Sequence, residues 1–166
     1  MGFGLALPVT YTWSRRGSRH RLRVPSRWGS SGRLNLIGAL SYSDKRLHFE
    51  LLEDSVTSER VVAFVTALTK DAKAGRVTVV VLDNAGFHTS KLVQAARPVW
   101  EERDVFVRHL PPYSPHLNPI EALWKQLKAF LLPRRFYPSV AELRHAVLEV
   151  LALLGAVRVN SCLGGA

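Results

Sequence analysis

The 166-residue sequence has almost no sulfur: one cysteine, Cys162, and one methionine, Met1. A lone cysteine closes no internal disulfide, and no Cys/His cluster has the spacing of a structural zinc site. That excludes a disulfide-stapled secreted scaffold and suits a reducing cytoplasm. Long apolar runs are missing as well. The longest late one, residues 146–157, contains Glu149 and falls short of the roughly 18 residues needed to span a bilayer. The opening MGFGLALPVTYTW has neither the basic start nor the long apolar run of a signal peptide, and Ala6 stands where a myristoylation motif requires Ser or Thr. The expected localisation is therefore cytoplasmic, with no membrane partner. Acid is the third scarcity, since no Asp or Glu precedes Asp44.

Base is abundant: 23 Lys and Arg stand against 13 Asp and Glu, a formal charge of +10, while 47% of residues are hydrophobic. A chain of this length is expected to fold as a single domain over residues 1–166, burying about 70% of its unfolded surface in one core. The charge is concentrated at one end. Arg15, Arg16, Arg19, Arg21, Arg23, Arg27 and Arg33 occur with no lysine and no acid among them, and Trp13 and Trp28 interleave. Guanidinium forks favour directional contact with phosphate oxygens, and indole rings offer stacking surfaces, so the segment reads as a nucleic-acid contact. The alternative is a solvated basic loop.

Residues 33–43 and 45–52 have strand composition and flank a polar turn at Ser43, Asp44 and Lys45, which predicts an antiparallel hairpin. A helix follows, capped by Ser55 or Thr57, with Val61, Val62, Phe64, Val65 and Leu68 as its apolar face and Gly75 as its stop. The run VTVVVLD over residues 77–83 predicts a central strand covered on both faces. A helix over residues 90–102, bent or restarted near Pro98, precedes a short strand from Val105. The segment LPPYSPHLNP is expected to be irregular, and helices are expected over residues 119–132 and 139–154, separated at Pro133. This order predicts an α/β fold: a mixed sheet flanked by helices, its first strand largely missing and confined to the few residues ahead of Tyr11.

Two carboxylates stand out. Asp83 ends the apolar strand, where ligands of open α/β sheets usually bind, although an Asx turn formed with Asn84 explains it equally. Glu121 falls at the third position of a helix capped by Asn118 and begun by Pro119, so it is also suited to a capping box. Lys125 and Lys128 follow at i+4 and i+7 and place two cations on its side, while Trp124 and Leu127 can anchor the helix. Hard divalent ions take carboxylate oxygens from converging elements, and a pair of them can stabilise both the attacking and the leaving oxygen of a phosphoryl transfer. The residues alone support a metal-dependent phosphodiester site on a basic protein.

The wording VTVVVLDNAGFHTSKLV followed by HLPPYSPHLNPIEALWKQLKAFL resembles the catalytic domain of bacterial insertion-sequence transposases related to the mariner group. TWSRRG and LNLIGALSY are similar to the early strands of that family, so the resemblance covers about residues 10–150. It implies an RNase H-like fold and a carboxylate triad that binds Mg²⁺ or Mn²⁺ for DNA cleavage and strand transfer. By motif, Asp83 corresponds to the second carboxylate and Glu121 to the third. Asn84 and His88 match the motif around the second Asp, His88 as a loop-orienting or DNA-contacting residue or a packing residue before the helix. Tyr113, Pro115 and Asn118 are expected to shape the loop that delivers Glu121. Arg15, Arg16, Arg19, Arg21, Lys125 and Lys128 are the expected DNA contacts, and the implied partners are element ends, target DNA and a second copy or an intact transposase.

The sequence departs from the family at its start. The first aspartate, expected in an Asp-Glu pair just upstream of GFGLALPVTYTW, is not present, and Asp44 and Asp54 are placed in a turn and ahead of a helix. The helix-turn-helix region that recognises element ends is absent too. The chain therefore reads as a C-terminal transposase fragment. It is either a catalytic domain that needs its missing part supplied, or an inactive remnant that binds DNA or an intact transposase. A different RNase H-like nuclease acting on RNA or hybrids is the third reading.

Overall fold

The computed structural model describes residues 1–5, 32–70, 75–128 and 137–159. Trp13, Trp28, the arginines at 15, 16, 19, 21, 23 and 27, and Pro133 lie outside the described residues, as does the expected continuation of the Glu121 helix to residue 132.

Three strands open the fold. β1 (Gly2–Gly4) pairs antiparallel with β2 (Arg33–Leu40), and β2 pairs antiparallel with β3 (Leu47–Leu52). The early strand expected ahead of Tyr11 is thus present as three residues. The hairpin turn is closed by the Ser41 amide donating to the Arg46 carbonyl at 2.9 Å, with Lys45 at φ 58° and its ammonium 3.7 Å from the centre of the Tyr42 ring. Asp44 sits in this turn and accepts from the Arg46 amide; the Ser41 hydroxyl above all holds its carboxyl below the usual 3.8. β6 (Val157–Arg158) joins β3 in parallel, which makes the four-stranded sheet mixed, in the order β1-β2-β3-β6.

Alternate residues of β2 face opposite ways, as the two-residue period of a strand requires. Leu34 and Leu36 enter one core with Phe3, Phe49, Leu51, Trp124, Leu127 and the buried face of α4 (Val140–Leu153), formed by Leu143, Val147 and Leu151. Ser139 caps α4 by accepting from the Glu142 amide at 3.2 Å. On the opposite face Ile37 packs against a second core made by α1 (Ser58–Lys70), α2 (Lys91–Glu101) and a parallel pair, β4 (Thr78–Leu82) with β5 (Val105–His109). Helices therefore cover both faces of a mixed arrangement, and the α/β expectation holds at that level; an RNase H-like nuclease fold is compatible with it.

Three local expectations change. β4 was expected to be covered on both faces, but only Val80 and Leu82 join the second core, while Val79 and Val81 are about half exposed. The cause is pairing: among the described residues β4 bonds to β5 alone, and α1 and α2 lie on one side of that pair. α2 neither stops nor restarts at Pro98; it is one helix from Lys91 to Glu101, begun by Ser90, whose hydroxyl accepts from the Val93 amide. Buried Trp100, past the proline, fastens α2 to α1 by donating its indole N–H to the Thr66 hydroxyl at 2.9 Å. The proline-rich connection after β5 also contains regular structure, a single 3₁₀ turn over Pro115–Leu117 ahead of α3 (Pro119–Gln126).

Candidate active site

Asp83 is the first residue after β4. Its Oδ1 accepts from the Ala85 amide at 3.0 Å, which is the Asx turn that local sequence allows, and from His88 Nδ1 at 2.6 Å. The turn and the site-ligand readings are therefore not exclusive. Oδ2 has no hydrogen bond among the described residues, and the side chain is 44% exposed while that of His88 is 16% exposed. His88 engages Oδ1 alone, and its own ring is set edge-on to Phe87 at 4.6 Å.

The loop is also tied from behind. The Leu110 amide donates to the Leu82 carbonyl at 2.9 Å, and the Asn84 side-chain amide donates to the Leu110 carbonyl at 2.7 Å. Asn84 thus joins the end of β4 to the start of the proline-rich connection. His109, which local sequence did not single out, approaches the Asp83 carbonyl through Nδ1 at 3.3 Å and meets Arg97 through Nε2 at 2.8 Å. Strand-end position was the one available signal for His109. Nothing in the local pattern pointed to Arg97.

Glu121 stands at the start of α3, partly exposed, with its amide donating to the Asn118 carbonyl at 3.1 Å. Asn118 occupies the cap position but makes no side-chain cap bond, so the reciprocal capping box is not formed from its side. Trp124 and Leu127 anchor the helix in the first core, as expected. Gly38 is what lets Trp124 lie against β2, because a Cβ there would come within 2.8 Å of the indole ring. Tyr113, in the same connection, adopts φ 57°, and its ring is fully exposed.

Glu121, Lys125 and Lys128 line one open recess of about 200 Å³ with Met1 and Trp124. The Met1 amino group donates to the Leu36 carbonyl at 2.6 Å and reports the local field. Burial, then Lys128, push its pKa below the ordinary 8.0; Glu121 acts against this, Arg33 adds to it, and Asp83 acts against it. The expected basic strip is present in Lys125 and Lys128, whereas Arg15, Arg16, Arg19 and Arg21 fall outside the described residues. Among the described residues no three His, Cys, Asp or Glu side chains gather as a metal cluster.

The profile of the DDE superfamily endonucleases matches residues 1–144. The chain belongs to this family. No curated protein matches it. Family membership implies DNA as the substrate and a transposase or nuclease activity, and endonucleases of this superfamily generally use divalent metals. Among the described residues no helix is long and apolar enough to cross a membrane.

Proposed function

We propose that the chain is the DNA-cleaving and strand-transferring domain of an insertion-sequence transposase related to the mariner group, with Asp83 and Glu121 as carboxylate ligands for Mg²⁺ or Mn²⁺. The observations that carry this reading are Asp83 at the exit of β4 with one carboxylate oxygen left unbonded among the described residues, and Glu121 at the start of α3 in a recess bordered by Lys125 and Lys128. The donor set fits hard divalent ions: it offers Asp83 Oδ2 and a Glu121 carboxylate with no hydrogen bond among the described residues, both oxygen donors. When bound, such ions supply charge stabilisation for the attacking and leaving oxygens of phosphoryl transfer. The chain's own residues do the positioning. His88 and the Ala85 amide hold Oδ1 and leave Oδ2 available as a ligand, Trp124 holds α3 in the core, and Lys125 and Lys128 attract the phosphodiester backbone.

Two ligands hold a metal pair less well than the family's three, so efficient joining of a cut DNA end by these 166 residues alone is not expected. The second reading, an inactive remnant that binds DNA or pairs with an intact transposase, draws on the lack of a three-ligand cluster among the described residues. Nicking of supercoiled DNA separates the two. Mn²⁺-dependent nicking that disappears in Asp83→Asn and Glu121→Gln supports catalysis, whereas DNA binding without nicking at any Mn²⁺ concentration supports the remnant. DNA recognition in either case is assigned to the arginine-rich segment and to Lys125 and Lys128, and assembly to contact with another transposase copy.

A further inference from the structure

His109 sits between two partners of unequal chemistry. An arginine side chain only donates hydrogen bonds, so the His109 Nε2 that lies 2.8 Å from Arg97 must accept. The ring proton is therefore on Nδ1, which faces the carbonyl oxygen of Asp83 at 3.3 Å. In the other tautomer two donors would meet at Nε2 and two acceptors at Nδ1. Arg97 thus selects the tautomer that lets β5 reach across to the main chain of Asp83.

We propose that Arg97 and His109 form a positioning relay for the Asp83 turn. The relay engages a different part of Asp83 from His88: His88 holds the carboxylate, and His109 holds the peptide unit to which that carboxylate is attached. Together with the Leu110–Leu82 and Asn84–Leu110 bonds, it locks the residues leaving β4 against those leaving β5. The placement of Arg97 carries a cost that agrees with a dedicated role, since its Nε is buried with no partner among the described residues. The arginine is held by what its terminal nitrogen does at His109. The relay belongs to the site proposed above and rests on that reading for its purpose, though not for its geometry.

The test uses the full 166-residue chain, labelled with ¹⁵N. Two-bond ¹⁵N–¹H spectra of the His109 ring are expected to show a protonated Nδ1 and a bare Nε2. Arg97→Met removes the donor and is expected to move the ring toward the Nε2–H tautomer and to speed hydrogen exchange at the Ala85 amide by about fivefold, one hydrogen bond's worth. Arg97→Lys retains a donor and is expected to return both readouts to those of the unsubstituted protein, which a general loss of packing would not do. His109→Asn, which keeps an N–H near the Nδ1 position, is expected to hold Ala85 exchange within about twofold where His109→Ala does not. A bare Nδ1 in the unsubstituted protein overturns the relay, as does unchanged Ala85 exchange in both Arg97→Met and His109→Ala. Mn²⁺ broadening of the residue 83–85 amides, with Asp83→Asn as control, judges the metal site separately. Its absence counts against the proposed function, and tautomer and exchange still decide the relay.

Discussion

At the residue scale the decisive group is the Asp83 carboxylate, because one of its oxygens is spent inside the protein and the other is not. His88 Nδ1 and the Ala85 amide converge on Oδ1, so the direction of Oδ2 depends on the imidazole. Outer partners of ligating carboxylates typically change metal affinity by about 10- to 100-fold when removed. His88→Ala is accordingly expected to weaken apparent Mn²⁺ binding by about tenfold, and His88→Asn, which restores an N–H donor, to recover part of it. Isothermal titration with Mn²⁺ measures both, and equal affinities in all three proteins would remove His88 from the site. The Asx turn was legible from Asp83 and Asn84 alone. Which ring nitrogen meets which oxygen was not, because the sequence placed His88 nearby without specifying the fold of the intervening turn.

At the element scale the question is how α3 is aimed. The helix is short, from Pro119 to Gln126, and lacks a side-chain cap, so its direction comes from packing. Trp124 supplies it by lying on β2 where Gly38 leaves the backbone bare. Gly38→Ala places a methyl within 2.8 Å of the indole and within 3.2 Å of the His48 carbonyl, and one of these neighbours must move. Overpacking of this kind costs about 1–3 kcal/mol. The expected outcome is a fall in thermal stability together with a change in Trp124 fluorescence, read against Trp124→Phe to isolate that ring's signal. A variant as stable as the parent with unchanged fluorescence would show that α3 does not depend on this contact. The helix, its Pro start and its anchoring residues were legible from spacing; the need for glycine opposite the indole was a property of two elements meeting.

At the scale of the whole molecule, charge and protonation give two expectations. The Met1 ammonium has a folded pKa below 8.0, chiefly because it is buried and faces Lys128. For a cation whose pKa is lowered by folding, the unfolded chain binds more protons between the folded value and 8.0, so stability rises with pH through that window. Urea denaturation of the 166-residue chain is expected to show this rise as pH approaches 8.0, and acetylation of the amino group is expected to abolish it. The second expectation concerns binding. If the seven arginines of the first 33 residues all meet phosphates of duplex DNA, log affinity falls with log salt at a slope of about −6. A slope near zero would withdraw that segment from DNA recognition, and replacement of Lys125 and Lys128 by Gln should make the slope shallower by about 2 if they also contact the backbone.

By itself the sequence determined the elements and the chemistry on offer. The strand composition of residues 33–52 around a polar turn, the β-branched run into Asp83, the helical stretches beginning near residues 90 and 139 and the placement of Glu121 at a helix start are local patterns, and each became the element it predicts. Tertiary structure decided what those elements share. The apolar run of β4 is compatible with burial on two faces, but burial depends on neighbours, and among the described residues β4 has β5 on one edge and helices on one face. The contacts from His109 to Asp83 and from Asn84 to Leu110 each cross 26 residues, and Arg97 reaches His109 across 12. Such bonds follow from the parallel register of β4 on β5, which sets Leu82 opposite His109. A local pattern specifies which face of its own strand a residue occupies, whereas the partner across the ladder is fixed only when the two strands pair.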